Sequence, residues 1–242
     1  MRIAIVSDIH GNLTALEAVL KDLRFTSPDL ILHGGDLADS GSRPAEVMDL
    51  IRNLGWDGVY GNTDEMHFRP EALEQFASRS SAPKSLWAAV REMAAATEAM
   101  LGSERIAWLC TLPRVLTTES IALVHASPQS TWKAPGPDGS DLELTETYVS
   151  LGRPVAVYGH IHRPFIRALG ELLVANSGSV SLSYDGDPRA AYLLVDDLRP
   201  TIRRVEYDID KEIRALSSCG LPHSDWVERM LKTASPQLPS AA

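Results

Sequence analysis

Acidic, amide and imidazole side chains recur in five short clusters, each directly after an apolar run of the kind that forms a strand. The clusters are Asp8-Ile9-His10, Gly35-Asp36-Leu37-Ala38-Asp39, Gly61-Asn62-Thr63-Asp64, His125 and Gly159-His160-Ile161-His162. Because neighbouring strand ends meet at one edge of a sheet, these side chains can converge on a single point. A mixed carboxylate, amide and imidazole shell without thiolate suits Mn²⁺, Fe²⁺, Zn²⁺, Co²⁺ or Ni²⁺.

The residue types also predict how two such ions would share the ligands. Two ions about 3.5–4 Å apart activate a water as a nucleophile and clamp a phosphoryl group between them. Such ions repel each other, so they need an anionic bridge, and Asp36 is the expected bridge because a carboxylate offers two oxygens. The sets expected on either side of this bridge are Asp8, His10 and His162 for one ion, and Asn62, His125 and His160 for the other.

The spacing inside two of the clusters predicts convergent side chains. On a regular strand, residues two apart face the same side. Asp8 is therefore expected to project with His10, and His160 with His162. Neither pair is specific alone, because short triplets arise by chance and a single histidine is more often structural. Five clusters at strand ends in one chain are a much stronger indication of a metal centre.

The first sixty residues alternate between strand and helix patterns. Apolar runs at 3–7, 30–33 and 58–60 predict three strands. Between the first two, leucines at helical spacing predict a helix over 13–24 that starts after Asn12, and Pro44 marks the start of the next helix. This βαβαβ order implies parallel strands with right-handed crossovers.

The rest of the chain is helical over about 70–110 and strand-rich beyond it. Strands are expected at 121–125, 155–158, 172–175, 190–195 and 202–207. The Pro- and Gly-rich segment 127–141 is typical of a long functional or mobile loop, and Asp185-Gly186-Asp187-Pro188 predicts a tight hairpin. We expect one domain over 1–242, with a helical insertion at about 70–110 and a helical C-terminal tail at about 209–242.

Composition limits the classes of partner. The chain has 242 residues and a formal net charge of −9, and such an acidic balance disfavours long nucleic acids. It has no apolar stretch near the ~20 residues that a membrane-spanning helix needs, and Asp8 and His10 interrupt the N-terminal apolar run too early for a signal peptide. The two cysteines, Cys110 and Cys219, are widely spaced. We expect a cytoplasmic protein that forms no membrane contact. The sequence is compatible with a monomer or a homo-oligomer.

The five clusters, in this order, resemble the motifs of the calcineurin-like metallophosphoesterase superfamily, which are D-x-H, G-D-x-x-D, G-N-x-[DE], a later single His and G-H-x-H. The resemblance covers residues 1 to about 195. The segments 176–180 and 185–189 also resemble the closing hairpin of the small bacterial and archaeal phosphodiesterase-like members.

The resemblance implies an α/β fold with four layers, in which two mixed β-sheets are flanked by α-helices and the metal site lies at the strand ends. It also implies the seven metal ligands assigned above and two divalent ions, with Mn²⁺ favoured and Mg²⁺ among the other possibilities. The residues implied to be catalytic are Asp36, Asn62, Asp64 and His125.

One position departs from the family pattern. Many members carry histidine after the asparagine, where it contacts the phosphate and can protonate the leaving oxygen, whereas this chain has Thr63. A threonine hydroxyl is a poor general acid near neutral pH. Thr63 is therefore expected to favour substrates with good leaving groups, unless another group such as His67 or a metal-bound water supplies the proton.

Three further residues have alternative interpretations. Asp64 is expected to accept a hydrogen bond from a metal-binding imidazole or to cap a turn. Trp132, on the loop after His125, could stack on a base or anchor that loop to the body of the protein. Arg163 could reach a phosphoryl oxygen or form a surface salt bridge. With Thr63, the last two are the candidate substrate-binding residues.

The sequence therefore predicts a metal-dependent phosphoesterase, and a phosphodiesterase is the preferred prediction. The expected reaction is hydrolysis of a P–O bond by attack of a hydroxide that bridges two metals. The expected substrate is a small phosphoester or a nucleotide. The alternatives within enzymes are a phosphomonoesterase or protein-phosphatase-like enzyme and a dinucleoside-polyphosphate hydrolase. A non-catalytic metal-binding scaffold is the alternative from another class, and it is disfavoured because all seven ligand positions are filled.

Overall fold

The computed structural model describes residues 1–240 and contains two five-stranded mixed sheets. The first sheet has the order β10-β9-β1-β2-β3. In it β1 and β2 pair in parallel, as do β2 and β3, while β9 runs antiparallel to both β1 and β10. Its strands are β1 (Arg2–Val6), β2 (Leu30–His33), β3 (Asp57–Gly58), β9 (Ala190–Asp196) and β10 (Arg199–Val205).

The second sheet has the order β4-β5-β6-β8-β7. Its three central strands run in parallel, and each edge strand is antiparallel to its neighbour. The strands are β4 (Val115–Thr117), β5 (Ile121–Val124), β6 (Val155–Tyr158), β7 (Phe165–Leu169) and β8 (Leu172–Asn176).

Within residues 1–240, eight α-helices surround the sheets. They are α1 (Leu13–Thr26), α2 (Pro44–Leu54), α3 (Asn62–Met66), α4 (Pro70–Arg79), α5 (Lys84–Leu109), α6 (Asp141–Tyr148), α7 (Ile209–Leu216) and α8 (Ser224–Thr233). As predicted, Asn12 caps α1, because its side chain accepts a hydrogen bond from the Ala15 amide at 2.9 Å.

Side-chain alternation along the strands creates the layers. Ile3 and Ile5 of β1 point into a core shared with Val155 and Val157 of β6, so the two sheets pack face to face. The alternate β1 residues pack instead against α1 and α2. On the outer face of the second sheet, Tyr148 of α6 packs against β6. The expected four-layer arrangement of two mixed sheets flanked by helices is therefore confirmed.

Some sequence expectations differ from the structure. The segment predicted as a tight hairpin, Asp185–Pro188, instead lies on the connection from β8 in the second sheet to β9 in the first. The actual hairpins there are β7–β8 and β9–β10, and β4 and β7 were not predicted at all. Both are edge strands with mostly half-exposed residues, so they lack the continuous apolar run of a buried strand.

The C-terminal helices pack on the body of the protein. Residues of α8, including Trp226 and Met230, join a buried cluster with Met93 of α5 and with Leu182 and Tyr184, which lie between β8 and β9. Glu212 of α7 is buried and accepts hydrogen bonds from Thr14 and Ser42. The helices of the expected tail thus reach the first turn of α1 and the loop that follows β2. Residues 241 and 242 of that tail lie outside the described residues.

Within residues 1–240, no helix combines the length and the apolar character needed to cross a bilayer.

Met230 provides a test of this packing. It is only 3% exposed, and Met230→Ala is expected to lower the free energy of unfolding by about 2–5 kcal/mol, because it removes a buried side chain and leaves a cavity. Urea unfolding of the full chain measures this change. The matched control on the same helix is Lys232→Ala, an exposed position, which is expected to change stability by no more than about 0.5 kcal/mol. Equal effects of the two substitutions would contradict the packing of α8.

Candidate metal centre

The predicted ligands meet at one edge of the two sheets. Asp8 and His10 follow β1, Asp36 follows β2 and Asn62 begins α3, so three connections of the first sheet contribute. His125 follows β5, and the remaining histidines follow β6 in the second sheet. All seven are buried except His160, which is partly exposed. The centre therefore lies between the sheets and opens to solvent on the side of His160.

The backbone at these positions differs from the sequence expectation. β1 ends at Val6 and β6 ends at Tyr158. The pair Asp8 and His10 and the pair His160 and His162 therefore both lie beyond the regular strands. The ligand residues that have positive φ angles, between 49° and 65°, are Asp8, His10, Asp36, His160 and His162. Left-handed backbone is disfavoured for residues with a Cβ and is retained where the surrounding structure imposes it. The side chains converge because of this turn geometry, and strand alternation was the wrong reason.

The first set of ligands is compact. One ligand atom from each of Asp8, His10, Asp36 and His162 lies within 4.8 Å of every other. The Nε2 atoms of His10 and His162 are 3.3 Å apart. Asp8 Oδ1 is 3.1 Å from Nε2 of His162, and Asp36 Oδ2 is 3.7 Å from Nε2 of His10.

The second set lies on the other side of Asp36. His125 Nε2 is 3.4 Å from Asp36 Oδ2 and 3.0 Å from Asn62 Oδ1. His160 Nδ1 is 2.9 Å from the same amide oxygen. One carboxylate oxygen, Oδ2 of Asp36, therefore faces histidines of both sets, and this is the position that a bridging ligand requires.

The hydrogen bonds of the imidazoles show that the centre fits cations. Nδ1 of His10 donates to the Asp39 carbonyl at 2.9 Å, and Nδ1 of His162 donates to the Leu182 carbonyl at 2.5 Å. Nδ1 of His125 lies 2.8 Å from the Gly34 carbonyl in the same way. In the neutral rings each Nε2 is then an acceptor only. In a buried site these Nε2 acceptors repel one another, and they also repel the neighbouring carboxylates. A divalent cation placed between them removes that repulsion.

Burial and mutual charge shift the titration of the ligands. Burial alone would raise the pKa of Asp36, but the neighbouring imidazoles of His125 and His10 more than offset this effect and lower it. Burial likewise disfavours a charged His125, yet the Asp36 carboxylate raises the pKa of this histidine to about 10. Metal binding at this ring would therefore have to displace the proton that the Asp36 carboxylate stabilises there.

Asp64 does not contact an imidazole, contrary to the first of its two interpretations. Its carboxylate accepts three backbone hydrogen bonds, from Asp36 at 2.7 Å, from Leu37 at 2.9 Å and from Gly61 at 2.9 Å. Asp64 therefore fixes the two loops that present Asp36 and Asn62. Burial and the nearby Asp36 carboxylate raise the pKa of Asp64 to about 6.

His67, which could have supplied the proton that Thr63 does not, is buried and pairs with Asp39. Its Nε2 lies 2.5 Å from Asp39 Oδ2, and both side chains are nearly inaccessible. Burial disfavours the charged ring, but the Asp39 carboxylate outweighs this and raises the pKa of His67. The Asp39 carbonyl accepts a hydrogen bond from His10. The pair of His67 and Asp39 therefore helps to hold His10, a candidate metal ligand, in position.

Residues between β8 and β9 support the centre, although the sequence indicated no role for most of them. Ser179 donates to the Asp8 carbonyl at 2.8 Å, and Asn176 donates to the Gly159 carbonyl. Tyr184 stacks on His162 with ring centroids 4.6 Å apart. At Gly159 a Cβ would collide with the Asp8 carboxylate, so only glycine allows the two loops to approach this closely.

The three candidate substrate-binding residues have different environments. Thr63 donates its amide to Asp36 Oδ1 at 2.9 Å, while its buried hydroxyl has no hydrogen-bond partner. Trp132 donates Nε1 to Glu65 at 3.1 Å and stacks on Phe76, so it anchors the loop after β5. Arg163 is exposed and donates to the Tyr184 carbonyl at 2.9 Å, which is a contact to the main chain and not to the metal ligands.

Comparisons with known proteins agree with this arrangement. A model described as a calcineurin-like phosphoesterase superfamily domain matches residues 1–197. An uncharacterised protein of Methanocaldococcus jannaschii is 31% identical over an alignment 252 positions long, gaps included, which covers 95% of this chain and 96% of that protein. The crystal structure of a metallophosphoesterase from Sphaerobacter thermophilus is 28% identical and covers 97% of this chain and 100% of its own, with a TM-score of 0.79.

A further relative matches part of the chain. The symmetrical bis(5'-nucleosyl)-tetraphosphatase of Methylococcus capsulatus is 31% identical over 139 residues, which cover 55% of this chain and 46% of that protein.

Asp64→Asn tests the support of the metal centre. An amide offers one oxygen acceptor in place of two and adds a donor that faces backbone N–H groups, so at least one buried N–H loses its partner. The expected result is a loss of about 1–3 kcal/mol in the free energy of unfolding and a metal affinity lower by about 10–100-fold. Urea unfolding and a metal competition titration measure the two effects.

The matched control for Asp64→Asn is Asp57→Asn, because Asp57 is an exposed residue at the start of β3. It makes the same chemical change and is expected to alter neither quantity. An unchanged metal affinity in Asp64→Asn would show that the two loops hold their ligands without this carboxylate.

Proposed function

The chain belongs to the calcineurin-like phosphoesterase superfamily and is a hydrolase that acts on phosphoester bonds, and from this premise we propose that it is a phosphodiesterase that works with two divalent metal ions. The observation that carries the proposal is the position of Asp36, whose Oδ2 lies between a histidine of one ligand set at 3.7 Å and a histidine of the other at 3.4 Å.

The chain's own residues would hold and orient the reacting groups. When bound, the metals would supply an activated hydroxide and neutralise charge on the phosphoryl oxygens. Asp8, His10 and His162 would hold one ion, and Asp36 would bridge to the second. Asn62 and the two remaining histidines surround that second position, and Asn62 brings an oxygen without adding negative charge. The hydrogen bonds from imidazole Nδ1 atoms to backbone carbonyls keep the Nε2 atoms aimed inward.

The leaving group is the second element of the proposal. Thr63 occupies the position next to Asn62, and its hydroxyl is buried without a hydrogen-bond partner. The pKa of an aliphatic hydroxyl is far above neutral, so Thr63 cannot act as an efficient general acid. We therefore propose substrates whose leaving group departs without a strong proton donor, such as aryl or cyclic phosphodiesters and phosphoanhydrides.

A dinucleoside-polyphosphate hydrolase is the second candidate. The partial similarity to a bis(5'-nucleosyl)-tetraphosphatase favours it, and a phosphoanhydride also meets the leaving-group condition set by Thr63. In either case the proposed substrate is a small molecule.

The metal and the location complete the proposal. We propose Mn²⁺ as the working ion; the oxygen and imidazole shell without thiolate suits it, as it suits Fe²⁺, Zn²⁺, Co²⁺ and Ni²⁺. We propose a cytoplasmic location, with which the two free cysteines, Cys110 and Cys219, are compatible.

Metal reconstitution with an Asp36→Asn variant tests the proposed activity. After removal of metal by chelator and return of one ion at a time, the wild-type chain is expected to hydrolyse bis-nitrophenyl phosphate faster than nitrophenyl phosphate, with two metals bound per chain. Asp36→Asn removes the anionic bridge and is expected to lower kcat/KM by about 10²-fold or more, the scale of losing one preorganised electrostatic contact.

Here too Asp57→Asn serves as the control, since it removes one exposed carboxylate and is expected to retain both metals and activity. Tight binding of two metals with no turnover of any phosphoester would contradict the proposed hydrolysis and favour a metal-holding scaffold.

Thr63→His tests the leaving-group argument. A histidine at this position would place a group with a pKa near neutral beside Asn62, and it is expected to raise kcat/KM for an alkyl phosphodiester at least about tenfold relative to a nitrophenyl diester, the low end of general-acid effects. Thr63→Ala is the matched control and is expected to leave that ratio unchanged. If the ratio is the same in all three proteins, proton donation at residue 63 does not select the substrate.

A further inference from the structure

A basic cavity lies beside the metal centre, and we propose that it binds the non-reacting phosphate groups of a substrate that carries several phosphates. The identity of the reacting end rests on the function proposed above, whereas the existence of the anion site does not. The cavity measures about 500 Å³, which lies within the usual range of small-ligand sites.

The cavity wall comes from three parts of the chain. Arg69 lies directly before α4, and Phe76 and Arg79 lie on that helix. The segment before β4 contributes Arg114, and the loop after β5 contributes Lys133. Four cationic side chains therefore line one cavity, and its single carboxylate is Glu65. This is a local positive site in a chain whose net charge is −9.

Single unpaired cations such as Arg24 and Arg199 also occur elsewhere on the described surface, but this cavity brings several cations together in one wall. Glu65 is buried and is already engaged by Arg69 at 2.8 Å and by the Thr131 hydroxyl at 2.5 Å. Within residues 1–240, Arg79, Arg114 and Lys133 lie in no ion pair, although arginines elsewhere on the surface, such as Arg91 and Arg105, do. The free positive charge facing the cavity is thus available to an anion.

The basic cavity shares part of its wall with a second cavity, which reaches the metal centre. A second cavity of about 510 Å³ has His160 in its wall, and it shares Gln129, Trp132 and Lys133 with the basic cavity. His160 is the partly exposed ligand at the mouth of the centre. A ligand with one phosphoryl group at the metals can therefore extend past Trp132 toward Arg79 and Arg114.

The shared wall is held in place. Trp132 stacks on Phe76 of α4 with ring centroids 5.0 Å apart and donates to Glu65, so the loop after β5 is tied to α3 and α4. A fixed wall that carries planar guanidinium groups suits phosphate oxygens, which arginine binds through two parallel hydrogen bonds. A linear chain of phosphates fits this site better than a single neutral ester, because several anionic groups can meet several cations at once.

Direct binding is the first part of the test. Inorganic triphosphate is titrated calorimetrically into the chelator-treated full-length chain, so that neither metal nor turnover contributes, and thermal unfolding confirms that each protein is folded. The double variant Arg79→Gln with Arg114→Gln is expected to bind at least tenfold more weakly than wild type. The control is Arg24→Gln with Arg199→Gln, which removes the same charge from two exposed positions outside the cavity, and it is expected to bind as wild type does.

Kinetics with restored metal is the second part. The double variant at Arg79 and Arg114 is expected to raise KM at least tenfold for diadenosine tetraphosphate and less than twofold for bis-nitrophenyl phosphate, with kcat within twofold for both. Triphosphate binding that is absent in wild type or equal in the double variant overturns the anion site. A KM that is unchanged, or that rises equally for both substrates, shows that the substrate does not use the anion site. Hydrolysis of neither substrate is evidence against the proposed function alone, because the calorimetry requires no turnover.

Discussion

Buried acceptor atoms that face one another are the feature on which the rest of this structure depends. Nε2 atoms of two histidines lie 3.3 Å apart, and carboxylate oxygens of Asp8 and Asp36 lie beside them. Without a cation or a proton this arrangement is repulsive, and it persists only because the surrounding chain fixes each group. Every supporting contact described above serves to hold these atoms where they would not stay by themselves.

The support is mostly backbone geometry. Three imidazoles pair their Nδ1 atoms with backbone carbonyls. Gly34 and Asp39 lie in the loop after β2, and Leu182 lies on the connection from β8 to β9. Asp64 gathers three amides and so joins the Asp36 loop to the start of α3. Because these partners come from both sheets, the centre requires the complete sandwich, and neither sheet alone could hold it.

The C-terminal helices extend this dependence beyond the region that matches the superfamily model, which ends at residue 197. Tyr184 stacks on His162 and donates to Met230 of α8, while Glu212 of α7 binds the first turn of α1 and the loop after β2. The last two helices thus stabilise the ligand loops from outside. Because the chain is acidic overall, the anionic substrate that we propose would depend on local positive charge, which the proposed metals and the basic cavity would supply.

The sequence by itself determined the ligand types, their order along the chain and the alternating strands and helices of the first sixty residues, because apolar periodicity and residue chemistry are local properties. The layered fold came from the resemblance of these motifs to those of the superfamily. Only the tertiary structure decided how the ligands converge, since left-handed turns such as those at Asp8 and His160 depend on contacts with distant loops. The same holds for the backbone role of Asp64, the buried pairing of His67 with Asp39, and the unpaired cations beside Trp132. Each of these requires residues far apart in the chain to meet in space, and no local pattern encodes which ones do.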